Sequence, residues 1–446
     1  MKAFAERTSG DDEVKWTRED IGDAALLHRE VWSVEVKGGQ SPMVQHGSEE
    51  VRALRIVHQG QLGFSTSRTQ GWDELKRMAY EAARNGPDTR LDEPDLNTVR
   101  SFTHGPTWQP GYLRHMTEGA QTLYERLASF ADDFRPSISV AYHATRKALS
   151  NSRGGSASWE QGYWEITAGG RRVSGTDFHG LNETRLRADA MPDIAELGKS
   201  LAERFQWGEK ILTVESGSYP VILLAPIVMS LFTSVLARLS GPALMAGNSP
   251  WEDRKDQAVL SPLLTLWSDP MTPDGPRTGP FDDEGTPTAV RPLIEQGVLR
   301  NFVLDRETAG RLAVEPPGMG YRPALNALPT SLPSNLVIAP GSLSLADLIN
   351  SFPRVLILQG WIGGRPTNPL RGDISGNASD LYYAEDGAIV GRVKNAVVSL
   401  NAFDVLSHQL RAVGSDSRWV PQGMMQAAPG KLVPLLIDGV SVNVRK

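Results

Sequence analysis

The run PVILLAPIVMSLFTSVLARLSG, Pro220 to Gly241, is the most apolar stretch of the chain and most limits what it can fold into. A membrane-spanning helix needs about 20 mostly apolar residues. This run has that length, but Pro226 interrupts it, and Ser230, Thr233, Ser234 and Arg238 load its second half. Two short buried elements suit the sequence better. The β-branched and aliphatic block VILLA reads as a buried strand. Pro226 would break a ladder but fits the first turn of a helix. From there Val228, Leu231, Phe232, Val235, Leu236 and Leu239 recur at helical spacing and define one apolar face. Thr233, Ser234, Ala237 and Arg238 fall on the other side, and Gly241 reads as the helix stop. The expectation is a strand and then a helix, with no membrane span.

A chain of 446 residues has room for two or three domains, and its 40% hydrophobic and 22% charged residues can build a core. Its 43 Gly and 30 Pro favour strands and loops over a helical bundle. The net charge of −6, with no basic block, argues against nucleic acid as a partner. With no cysteine there can be no disulfide, thiolate nucleophile or Cys metal ligand. The start, MKAFAERTSGDDEVKW, has no apolar leader core, and a cytoplasmic location is expected.

Periodicity predicts a mixed α and β first half. EVRALRIVHQGQLGFSTS reads as two strands around His58–Gln61. A helix follows with Trp72, Leu75, Met78, Ala79 and Ala82 inward, stopped at Asn85-Gly86-Pro87. A second helix is expected over 114–131, with Met116, Ala120, Leu123, Leu127 and Phe130 inward. Strands near RPSISVAYHA and SASWEQGYWEITAGG precede a helix burying Ile194, Leu197, Leu201 and Phe205. Beyond 208–219 the chain reads as β-rich, with a hairpin at Gln296-Gly297 and strands in SNLVIAPG, RVLILQGWIGG, DLYYAEDGAIVGRVKNAVVSL and KLVPLLIDGVSVNV. The fold class expected is α+β in two domains. These are a mixed α/β domain over 1–215 and a β-rich domain with a buried helix over 216–446.

Chemistry is sparse. The eight histidines, His28, His46, His58, His104, His115, His143, His179 and His408, leave 180–407 empty, and none shows H-E-x-x-H spacing. The acidic stretch GPFDDEGTPT, Gly279 to Thr288, reads as a tight turn more readily than as a hard-cation site, since it lacks regular ligand spacing. SNSRGGSAS reads as a hairpin turn, and Arg371–Asp373 is a chance RGD tripeptide.

Several blocks together resemble the TldD/PmbA family, once described as modulators of DNA gyrase. The block with Phe281-Asp282-Asp283-Glu284-Gly285 followed by LIEQGVL is similar to its most characteristic segment. Pro333-Ser334-Asn335-Leu336 and NPLRGDISGNASDLYYAEDGAIVGRVKNAVVSLNAFDVL are similar to later blocks. GQLGFSTSRTQGWDELKRMAYEAA resembles the family's early hairpin and helix. The resemblance implies a choice between two branches. The TldD-like branch carries His-Glu-x-x-x-His on a helix after an apolar strand and acts as a zinc peptidase. There imidazoles hold zinc, zinc acidifies a water, and the Glu moves its proton. In the present chain those positions fall at Thr233, Ser234 and Arg238, none of which can do that work.

The resemblance therefore implies the PmbA, or TldE-like, branch. The chain would be a metal-free subunit of a TldD/TldE-like metallopeptidase assembly acting on peptides or unfolded segments. A TldD-like zinc subunit and a peptide are the expected partners, with a homodimer as the other pairing. No catalytic, cofactor-binding or metal-binding residue is expected in this chain, and no cofactor. Whether it is itself an enzyme stays open. A stand-alone peptide-binding protein and a hydrolase with an unidentified site are the alternatives.

Overall fold

The computed structural model describes residues 14–17, 20–96, 101–175, 177–421 and 428–445. Residues 1–13, most of the stretch read for a leader, lie outside them.

Four long strands, Met43–His58, Gly22–Lys37, Arg135–Asn151 and Ser156–Ser174, lie side by side in that order, each antiparallel to the next. Gln61–Ser67 and Asp177–Arg187 extend the two sides. The hairpin after His58 turns through Gln59 and Gly60 at φ 53° and 80°. Two left-handed residues in a two-residue loop match the twist of the flanking strands. Gly22–Lys37 and Asp177–Arg187 go beyond the sequence expectation. The first owes its length to neighbours that pair along both its sides.

Helices cover this sheet through narrow apolar stripes. Trp72–Ala83 buries Trp72, Leu75, Ala79 and Ala83. Met78 and Ala82, expected inward, are exposed, because the stripe through Leu75 and Ala79 continues to Ala83. Tyr112–Ala128 buries Met116, Ala120, Leu123 and Leu127. Phe130 lies past its end, against Phe134 and Phe205. Ile194–Glu209 starts at Asp193, whose carboxylate accepts the Ala195 and Glu196 N–H groups at 2.7 and 3.1 Å.

The second sheet begins with Gly217–Leu223, parallel to Arg354–Ile362 and antiparallel to Leu435–Val444. Ala396–Asn401 and Asp373–Glu385 follow, and the pairing of Asp373–Glu385 with Arg354–Ile362 closes the ring. The fold is α+β: a mixed α/β amino-terminal domain and a β-rich domain with a buried helix.

That helix is Ala225–Leu239, with Pro226 in its first turn and ten of fifteen residues buried. It packs on the face of the ring that presents Val221, Leu223, Leu356 and Leu358. Each of its large apolar side chains contributes roughly 1.5–3 kcal/mol through burial. Among the described residues no helix is long and apolar enough to cross a membrane. Two details differ from expectation. Ser234 is fully buried rather than on the open side, because apolar neighbours surround the helix on nearly every face. Gly241 is not a left-handed stop. The helix ends as Ser240 turns extended (ψ 140°), and Gly241 opens a short second helix. A Cβ at Gly241 would come within 2.3 Å of the Thr308 hydroxyl.

Candidate functional site

The strand-to-helix corner carries Thr233, Ser234 and Arg238, the positions singled out by the resemblance. Thr233 is half-buried and donates its hydroxyl to Met229 O at 3.1 Å, one turn back. Ser234 Oγ is buried with no hydrogen-bond partner. Arg238 does the most. Its guanidinium lies 3.1 Å from the Phe403 ring centroid and 5.3 Å from that of Trp251, and Nε donates to Leu370 O at 3.0 Å. Burial pushes this guanidinium down to about 10, with Asp404 opposing. On a straight helix five residues turn through about 140°, so Thr233 and Arg238 point to different neighbours. A hydroxyl tied to the backbone, a core serine and a stacked cation do not fit zinc, which takes thiolate, imidazole or carboxylate donors. Among the described residues no group of three or more His, Asp or Glu side chains is arranged to hold a metal ion.

The acidic loop is a clasp. Asp282 accepts the N–H groups of Glu284 (3.0 Å), Thr286 (2.9 Å) and Gly320 (2.8 Å). Asp283 accepts Lys147 Nζ on one oxygen and the Arg322 N–H on the other at 2.8 Å. Glu284 takes Arg55 at 2.7 Å and the Arg306 N–H at 2.7 Å. Arg55 in turn holds Asp23 at 2.7 Å. Every carboxylate oxygen of the three thus has a protein donor. Burial raises Asp282 and Glu284, Arg55 countering it at Glu284; at Asp283 burial also raises, but Lys147 and Arg322 together bring the carboxyl below its ordinary value. The turn reading therefore describes this loop, and its carboxylates tie the first sheet to the second domain.

A cavity of about 640 Å³ lies where the domains meet, at the start of the buried helix (Leu224, Ala225, Pro226). Glu183 is its electrostatic centre. It accepts Arg204 at 2.8 Å, Arg418 at 3.0 Å and Ser200 at 3.0 Å. Arg204 reaches on to Asp380 at 3.1 Å. Burial raises the Glu183 carboxyl, but Arg204, Arg185 and Arg418 bring it below its ordinary value. At Asp380 burial wins and the carboxyl is raised. Trp207, Trp361 and Trp419 supply broad apolar walls. The arrangement offers flat rings and a fixed charge network, suited to holding a chain segment. Sequence reading missed it because its residues come from far-apart segments. One signal was present: Arg204 lies beside Phe205 on the buried stripe of its helix.

The fold and this corner define an α+β protein built around a buried helix that carries no His, Asp, Glu or Cys. Residues 216–443 match the family described as PmbA/TldA metallopeptidase C-terminal domain. The chain belongs to the PmbA/TldD metallopeptidase family. A metalloprotease of Methanothermobacter thermautotrophicus is 30% identical over 254 residues, 57% of this chain but only 55% of its own length. A metalloprotease of Synechocystis sp. is 23% identical over 421 residues, 91% of this chain and 89% of its own. The crystal structure of TldE from Thermococcus kodakarensis superposes with a TM-score of 0.81 at 20% identity, covering 95% of this chain and 96% of that one.

Proposed function

We propose that this chain is the metal-free, PmbA/TldE-type subunit of a TldD/TldE-like metallopeptidase assembly that acts on peptides or unfolded segments in the cytoplasm. The observation that carries the reading is Arg238 seated on Phe403 and bonded to Leu370 O, at a helix position where a zinc enzyme needs a ligand. A TldD-like zinc subunit supplies the hydrolytic centre in this scheme, and the present chain completes the peptide cleft. The proposal includes a division at 215/216, between the long-stranded first sheet and the closed ring. Co-expression with a TldD-like chain tests it. The pair should co-purify, and cleavage of an unfolded peptide should need both chains. Chelator-sensitive cleavage by this chain alone overturns the reading. The 640 Å³ cavity favours a second reading, a stand-alone peptide-binding protein. Peptide binding that is unchanged by the partner, with no co-purification, would select it.

A further inference from the structure

A second, smaller cavity of about 170 Å³ is lined by Asp283 of the acidic clasp, between the first sheet and loops of the second domain. Four of its lining side chains are cations: Arg29, Lys147, Arg277 and Arg322. Asp283 is its one lining carboxylate among the described residues, and both its oxygens are taken, by Lys147 and by the Arg322 backbone. Arg322 is 7% exposed. Its side chain donates to Ala327 O at 2.5 Å, and its Nε has no partner. Burial and the neighbouring Arg55 push this guanidinium down to about 10, and the nearby Asp23, Asp283 and Glu284 carboxylates offset that only in part. It is still charged at neutral pH. A buried cation left in this state is costly, and an anion beside it removes the cost.

The remaining wall sets the size and shape of that anion. Leu27, Leu186 and Leu325 give an apolar side. Burial, and Glu165 after it, raise the Tyr163 phenol, so it stays protonated and can donate. An engineered cavity of about 150 Å³ takes up benzene, so this one has room for a small organic acid and none for a nucleotide. The Arg29 side chain is half exposed, which places the mouth on its side, and it pairs there with Glu49 at 3.1 Å. We propose that this cavity binds a carboxylate on a short apolar body, carried by a free small acid or by the carboxy-terminal residue of a peptide. Binding here requires neither zinc nor a partner subunit.

Calorimetry on the full chain separates the outcomes. N-acetyl-leucine should bind one per chain, and N-acetyl-leucinamide, with the same body and no charge, at least about tenfold more weakly. A tripeptide ending in leucine, as acid and as amide, distinguishes the sources. If its acid also binds, the site takes peptide ends; if only the small acid binds, it takes free acids. Arg29→Glu, a change at the half-exposed mouth, should weaken the acid about tenfold. Arg322→Met should abolish binding if it folds, with circular dichroism as the check. Equal binding of acid and amide, no binding of either acid at millimolar concentration, or unchanged affinity in Arg29→Glu overturns the proposal.

Discussion

Arg238 is held by the Phe403 and Trp251 rings and by Leu370 O. A guanidinium over a buried ring is worth about 2 kcal/mol when desolvated, and its bond to a carbonyl adds about 1 kcal/mol. Arg238→Ala should therefore lower stability by roughly 2–3 kcal/mol, read from urea unfolding. The change Thr233→His with Ser234→Glu and Arg238→His restores the motif in name only. Ser234 is fully buried, so a Glu there places charge in the core and should cost a few kcal/mol by itself. Zinc-dependent turnover of an unfolded peptide by this variant should be absent. Efficient cleavage would mark a recently silenced enzyme instead. His143 offers a separate test by pH. Burial, and Arg29 after it, push its imidazole down to about 4. The unfolded chain takes up this proton near pH 6.5 and the folded chain only near 4, so unfolding is favoured as pH falls between them. Its stability contribution is complete above about 6.5 and lost below about 4, a change of about 3 kcal/mol. Urea midpoints at several pH values should fall less steeply in His143→Gln than in the parent chain.

Among the elements, the acidic loop ties a strand of the first sheet to loops of the β-rich domain. Arg55 and Glu284 are both buried and lie far apart in sequence, one on a first-sheet strand and the other in the loop. Removing one partner of such a pair strands the other, a loss of about 3–5 kcal/mol. Glu284→Ala should reach that range. Because Glu284 also holds the Arg306 N–H, the loss should fall on the contact between domains. The parent chain should unfold in one urea transition and Glu284→Ala in two, the first reporting the detached domain. A single transition with a small shift would show that the clasp is replaceable.

For the whole molecule, the donor chemistry of the helix and the absence of cysteine lead to one expectation. The purified chain should hold no stoichiometric zinc after metal-supplemented expression, by elemental analysis. Close to one tightly held zinc per chain, lost on changing a histidine, would contradict the subunit proposal. A TldD-like partner should bind without displacing the Arg238 side chain, so Arg238→Ala should alter stability more than co-purification.

Periodicity and local chemistry were enough for the pieces. Pro226 ahead of an apolar stripe fixed the start of the buried helix, and Gln59-Gly60 and Gln296-Gly297 fixed two tight hairpins. That Thr233, Ser234 and Arg238 are not metal-donor residue types is also read directly from the sequence. Three neighbouring acids, by contrast, could be a ligand set or a clasp; only the arrival of Arg55, Lys147 and backbone donors from distant segments decided it. Tertiary packing also chose which helical positions were hidden, turning Ser234 inward and Met78 outward. The Glu183 network and the Arg322 cavity left almost no local mark. Burial and charge balance there depend on chain segments more than a hundred residues apart, and spacing along a sequence records only near neighbours.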